Sequence, residues 1–155
     1  MKPFFQEIIS IVENLHREIQ AAVESLSQAG LDWVPGPEMN SLGVLLAHIA
    51  GAERNWMGEV ISGEGSSRIR AAEFETKGAS LEDLLARLES SLDYCRRVFE
   101  DLTLEDLAAI RVSPRDGREV TVGWALAHGL EHTAQHSGHI QVTRQMWERQ
   151  SQGTN

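Results

Sequence analysis

The stretch TVGWALAHGLEHTAQHSGHIQVTRQMWERQ, residues 121–150, decides how the chain is to be read. A helix advances about 100° per residue, so side chains four apart share a face at a rise of about 6 Å. On that period Ala125, Gly129, His132, His136, Ile140, Thr143 and Trp147 fall on or beside one stripe. Glu131, Gln135, Gln141, Gln145 and Arg149 lie on the opposite side. A helix capped by Thr121 and running to about Arg149 therefore turns His132 and His136 towards the protein interior or its rim, with His128 and His139 at the edge of the same arc.

The same periodicity predicts three more helices. The first runs from about Pro3 to Gln28 on an apolar stripe of Phe5, Ile8, Val12, Leu15, Ile19, Ala22 and Leu26. Pro3 is in its first turn and Gly30 lies just past its end. The segment GLDWVPGPEMNS, residues 30–41, breaks the pattern, because Pro35 and Pro37 cannot donate to a helical ladder. A second helix starts at Asn40 or Ser41 and ends around Ser62–Gly63. The polar, glycine-containing segment SGEGSSRIRAAEFETKG, residues 62–78, reads as a loop carrying Glu64 and the Arg68–Arg70 pair, solvated or, as the alternative, a mobile lid. A third helix begins at Ser80, with Asp83 in a capping-box-like position, and buries Leu81, Leu85, Leu88, Leu92, Cys95, Phe99 and Leu102. In SPRDGREVT, residues 113–121, the tight-turn pair Asp116–Gly117 allows a small hairpin before the last helix. With no repeat and no linker, the expectation is an all-α four-helix bundle forming one domain over residues 1–155. The loop lengths leave simple and crossed connections equally open.

Composition narrows the function classes. Fourteen Lys and Arg against twenty-three Asp and Glu give a net charge of −9, which repels phosphate backbones and argues against nucleic-acid binding. No apolar run approaches the roughly twenty residues of a membrane span, and the charged N-terminal helix lacks a signal-peptide core, so a cytoplasmic protein is expected. Cys95 has no second cysteine to pair with and lies on an apolar stripe, where a buried, inert thiol is the expectation. Trp33, Trp56, Trp124 and Trp147 read as packing residues, with Trp56 also placed to wall a pocket.

On the second helix His48 shares its face with Leu45, Ala52 and Trp56, so it also looks inward. One inward histidine is commonly a hydrogen-bonded core residue, and HxxxH occurs often by chance. Several together are harder to satisfy, since each needs a polar partner and protonating more than one buries like charges. A cation removes both difficulties. His48, His132 and His136 can form a facial three-nitrogen site with open positions, suited to zinc, nickel, cobalt, copper or iron. HTAQH has Thr133 where a zinc protease carries its glutamate. Only Glu13-Asn-Leu-His16 has the Glu-x-x-His spacing of a di-iron bundle, which needs two, and His16 reads as a solvated or capping residue.

DWVPGPEMNSLGVLLAHIAGAERNW, followed by the distant GWALAHGLEHTAQHSGHI, resembles the DinB/YfiT-like metal-binding four-helix bundles over essentially the whole chain. The resemblance implies metal ligands His48, His132 and His136. Glu53 and Trp56 match the family's usual acidic and aromatic positions. Where that family commonly continues the last histidine as Arg-Gly-Gln, this chain reads Ser137-Gly138-His139, so any contact made by the arginine is lost. Candidate catalytic residues are His128 and Glu53; candidate substrate-binding residues are Trp56 and His139. The implied activity is a thiol S-transferase of the bacillithiol, mycothiol or glutathione type acting on a small molecule. It would use one divalent metal (zinc, with nickel as alternative) and a low-molecular-weight thiol cosubstrate. A metal-dependent hydrolase and a non-enzymatic, stress-associated metal-binding bundle are the alternatives, and the family favours a homodimer.

Overall fold

The computed structural model describes residues 1–66 and 68–153. Helix α1 (Pro3–Val23) is followed by a short α2 (Gln28–Asp32), then by α3 (Leu42–Glu53), which continues through wider π-helical turns at Arg54–Glu59 into α4 (Val60–Ser62). A single-turn α5 (Arg70–Phe74) precedes α6 (Leu81–Glu100). After a 3₁₀ turn at Glu105–Ala108 come β1 (Ile110–Val112), β2 (Glu119–Thr121) and the long α7 (Val122–Gln152).

The caps are the expected ones. Ser41, Ser80 and Thr121 accept from the backbone N–H of Val44, Asp83 and Trp124, contacts typically worth about 1 kcal/mol each. The first helix differs from expectation: it ends at Val23 rather than near Gln28. Ser25 takes a positive φ of 64°, and Ser27 caps a separate turn by accepting from Gly30 N–H. The expected hairpin forms, pairing Ile110 with Thr121 and Val112 with Glu119.

Four long helical arms make the bundle, and α1 and α3 each pack against both α6 and α7. Successive arms α1 and α3 thus lie across a diagonal, as do α6 and α7, so the connections are crossed. Two apolar clusters fill the interior. One gathers Phe5, Val12, Met57, Phe99 and Val122; the other gathers Ile19, Leu31, Leu46, Leu84 and Ile140.

Each arm carries one polar residue between these clusters: His16, Glu53, Ser91 and Thr133. Glu53 is 0 % exposed and accepts from Ser91 Oγ at 2.8 Å, from Thr133 Oγ1 at 3.4 Å and from His16 Nε2 at 2.9 Å. His16 is therefore an inward-facing partner of a buried carboxylate, not a solvated or capping residue. A buried carboxyl group needs hydrogen-bond partners, and each neighbouring arm supplies one.

Where α7 crosses the π-helical turns, Gly129 allows the approach: a methyl group there would overlap Met57. That closeness sets the last helix against the end of α3. No helix among the described residues is long and apolar enough to cross a membrane.

Candidate metal centre

Three imidazoles meet on the seam between α3 and α7. His48, His132 and His136 each offer one nitrogen, and these atoms lie within 4.8 Å of one another. His48 Nε2 stands 3.1 Å from His132 Nε2. Two nitrogens bound at about 2.0–2.1 Å to a tetrahedral ion are about 3.3 Å apart, so the pair is already at chelating separation. The rings pack edge to face, with centroids 4.4 Å apart for His132 and His136 and 5.1 Å for His48 and His136.

Burial, then the neighbouring imidazoles, lower His132 from 6.5 to about 3 and His136 to about 4. Both are neutral near pH 7 and keep a lone pair to donate. His132 Nδ1 is buried with no hydrogen-bond partner, so this ring is not a satisfied core histidine. A donor set of crowded imidazoles without thiolates fits a divalent transition ion.

His48 is oriented by a residue that the sequence did not advertise. Glu73, on α5, places Oε2 2.8 Å from His48 Nδ1. Because a carboxylate only accepts here, Nδ1 carries a proton and Nε2 is the nitrogen that faces the centre. Arg68 grips the same carboxylate at 2.6 and 2.8 Å. Burial pulls the Glu73 carboxyl upward, but the bonds from Arg68 and His48 and their charges outweigh it and hold the group below its ordinary value. A methyl at Gly51 would overlap this carboxylate, so Gly51 is the opening through which Glu73 reaches α3. The 62–78 segment, expected as a solvated loop, is in its described part docked onto the helix that bears His48.

The remaining candidates fall in three different settings. His139 is exposed, with Nδ1 3.1 Å from His136 Nδ1, beside the triad rather than in it. His128 stacks on Trp124 at 4.7 Å and meets Trp56 edge-on at 5.0 Å. These three residues, together with His48 and His132, line a cavity of about 380 Å³. Glu53 lies in the closed polar layer described above, bonded on three sides. A larger cavity of about 670 Å³ opens beyond the Arg68–Glu73 pair, but none of the three imidazoles lines it, so size alone does not mark the chemistry.

A crossed four-helix bundle with a three-histidine cluster on its α3–α7 seam defines the class of protein. The family model described as mycothiol-S-transferase matches residues 7–148, and the chain belongs to that family. No curated protein matches the chain. Among solved structures, a conserved protein from Enterococcus faecalis is similar with a TM-score of 0.76 at 16% identity, covering 94% of this chain and 97% of that one. A DinB-like protein from Bacillus subtilis gives a TM-score of 0.66 at 21% identity, covering 90% of each chain. YfiT from Bacillus subtilis, described as a probable metal-dependent hydrolase with an unusual four-helix bundle topology, gives 0.68 at 17% identity. That likeness covers 97% of this chain and 90% of YfiT. At these identities the structures share the fold.

Proposed function

We propose that the protein is a metal-dependent thiol S-transferase, with His48, His132 and His136 holding one divalent ion, zinc by preference. The observation that carries this reading is the convergence of three imidazoles within 4.8 Å, in a chain that matches the mycothiol-S-transferase family over residues 7–148. An ion bound there would lower the pKa of a cosubstrate thiol and favour its thiolate at neutral pH. Mycothiol or a related low-molecular-weight thiol supplies the nucleophile, because Cys95 is fully buried and its thiol is pushed up by that burial, then by the nearby Glu53 charge.

The residues divide the remaining work. Glu73 holds the His48 ring through Nδ1–H, and His139 hydrogen-bonds to His136 through their facing Nδ1 atoms. Trp56 and Trp124 exclude water from one wall of the cavity. His128, stacked on Trp124 and open to that cavity, accepts the thiol proton. The sulfur then bonds to the electrophilic carbon while the leaving group departs with its electron pair, or the proton passes from His128 to an activated double bond. Glu53 acts at a distance, as a positioning residue within the bundle.

The match to the mycothiol-S-transferase family favours transfer over hydrolysis. Both Glu53 and Glu73 are committed to histidines, and Asp116, the carboxylate in the cavity lining, accepts from Arg118 N–H. The test measures conjugation of several thiols to an electrophile by zinc- and nickel-loaded protein. Thiol-dependent turnover abolished in His132→Ala is expected. Turnover that proceeds without thiol would transfer the site to hydrolysis, and no rate increase with any loaded form would end the enzymatic reading.

A further inference from the structure

Four of the fourteen Lys and Arg residues line the small cavity beside His48 and His132: Arg68, Arg70, Arg115 and Arg118. In a chain of net charge −9 this is a marked concentration of positive charge, and Asp116 is the one carboxylate in the same lining. Two separate segments supply the arginines. Arg68 and Arg70 come from the stretch before and at the start of α5, whereas Arg115 and Arg118 come from the hairpin turn. Asp116 is partly engaged, since its Oδ1 accepts from Arg118 N–H at 3.2 Å.

The four guanidinium groups are differently committed. Arg68 is used by Glu73. Among the described residues, Arg70, Arg115 and Arg118 make no close ion pair, although the Asp116 charge interacts at longer range with Arg115 and Arg118. Arg118 lies 4.5 Å from the Trp124 ring centre and 5.7 Å from that of Trp56, and Arg70 lies 4.5 Å from the Phe74 ring. Stacking covers the flat face of a guanidinium and leaves its N–H edges free to donate in the ring plane, the geometry that carboxylates and phosphates accept. A concave site with an excess of one charge sign focuses counter-ions more strongly than scattered surface charge does.

We propose that this cavity is an anion subsite for a dianionic group, paired carboxylates or a phosphate ester, on the small molecule that reacts at the imidazole triad. Its volume of about 380 Å³ suits a short diacid, being near the small end of the ~300–1,000 Å³ span of ligand pockets. What reacts next to the anion rests on the transferase reading; binding of the anion does not. Trp124 and His128 form the flat wall against which the body of the ligand lies.

The test titrates succinate, its neutral isostere succinamide and inorganic phosphate into metal-free protein by calorimetry. Succinate or phosphate binds, succinamide binds at least about tenfold more weakly, and Arg115→Gln/Arg118→Gln loses at least about tenfold in affinity at unchanged circular dichroism. Equal binding of diacid and diamide, or affinity untouched in the double variant and in Arg70→Gln, would overturn the subsite. On zinc-loaded protein, a gain in affinity for mercaptosuccinate but not for succinate assigns the anion to the thiol partner. Simultaneous binding of succinate and 2-mercaptoethanol assigns it to the electrophile. Diacid binding without thiol conjugation leaves the subsite standing and removes the transferase reading; conjugation without diacid binding does the reverse.

Discussion

Two histidine–glutamate pairs flank one stretch of α3, and they do opposite things. His48 meets Glu73 at 2.8 Å, and Glu53, five residues further along, meets His16 at 2.9 Å. In the first pair the histidine belongs to α3 and its other nitrogen faces two more imidazoles. In the second the carboxylate belongs to α3 and is enclosed by a donor from each of the other three arms. A close His–Glu contact therefore does not by itself make a functional site. What distinguishes the two is whether the ring's second nitrogen is left with a lone pair, crowded by others like it, at the edge of a cavity.

That contrast is broken most violently at the closed pair. Glu53→Ala strands His16 and Ser91 in the interior, with an expected cost of about 1–3 kcal/mol for each group left without a partner and no change in metal stoichiometry at temperatures where the variant is folded. Denaturant melts beside metal analysis check both halves. If Glu53→Ala emptied the site while leaving stability intact, the assignment of the two pairs would be reversed.

The open pair should respond in the opposite sense. Glu73→Gln keeps the shape but weakens the hold on His48 Nδ1–H, so metal affinity falls about 10–100-fold, read by chelator competition, while stability falls only as far as the loosened Arg68 contact requires. Gly51→Ala pushes the same carboxylate aside from the α3 side. It should reproduce a milder form of that loss, about tenfold; equal affinities for Gly51→Ala and the parent would show that Glu73 reaches His48 by another route.

The smallest effect is on pH. In the metal-free protein His132 and His136 are held at about 3 and about 4 by burial first and the neighbouring rings second, against about 6.5 in the unfolded chain. The unfolded state thus binds more protons below about pH 6.5, and the native state loses stability as pH falls from there towards about 4. Thermal melts of metal-free protein at pH 7.5 and 5.5 should show a drop that is smaller in His132→Gln.

Much of this was legible from residue spacing, and the failures have physical causes. The stripe of α7 and the His48 face of α3 follow from period alone, because long amphipathic helices have no other way to bury their apolar side. The Ser41, Ser80 and Thr121 caps are equally local. The break at Ser25 is not, since a positive φ at a serine carries no sequence signature; the Ser27 cap was the available sign. Glu73 was hidden by its setting, a single turn in a polar segment whose partner lies 25 residues away. Only the pattern Ala71-Ala72-Glu73-Phe74, small and aromatic residues amid polar ones, hinted that this turn docks. His16 misled because Glu13, Arg17 and Glu18 make its neighbourhood look solvated, while its own side chain turns inward to an anion 37 residues on.

The most direct test of the metal centre is elemental analysis of protein purified without a His-tag or added metal, beside His48→Ala and His132→Ala. The account predicts about one transition-metal ion per chain in the parent, with both variants folded and nearly empty, as expected when one of three nitrogen ligands is removed. A parent that is metal-free, and takes up neither zinc nor nickel on titration, would contradict it.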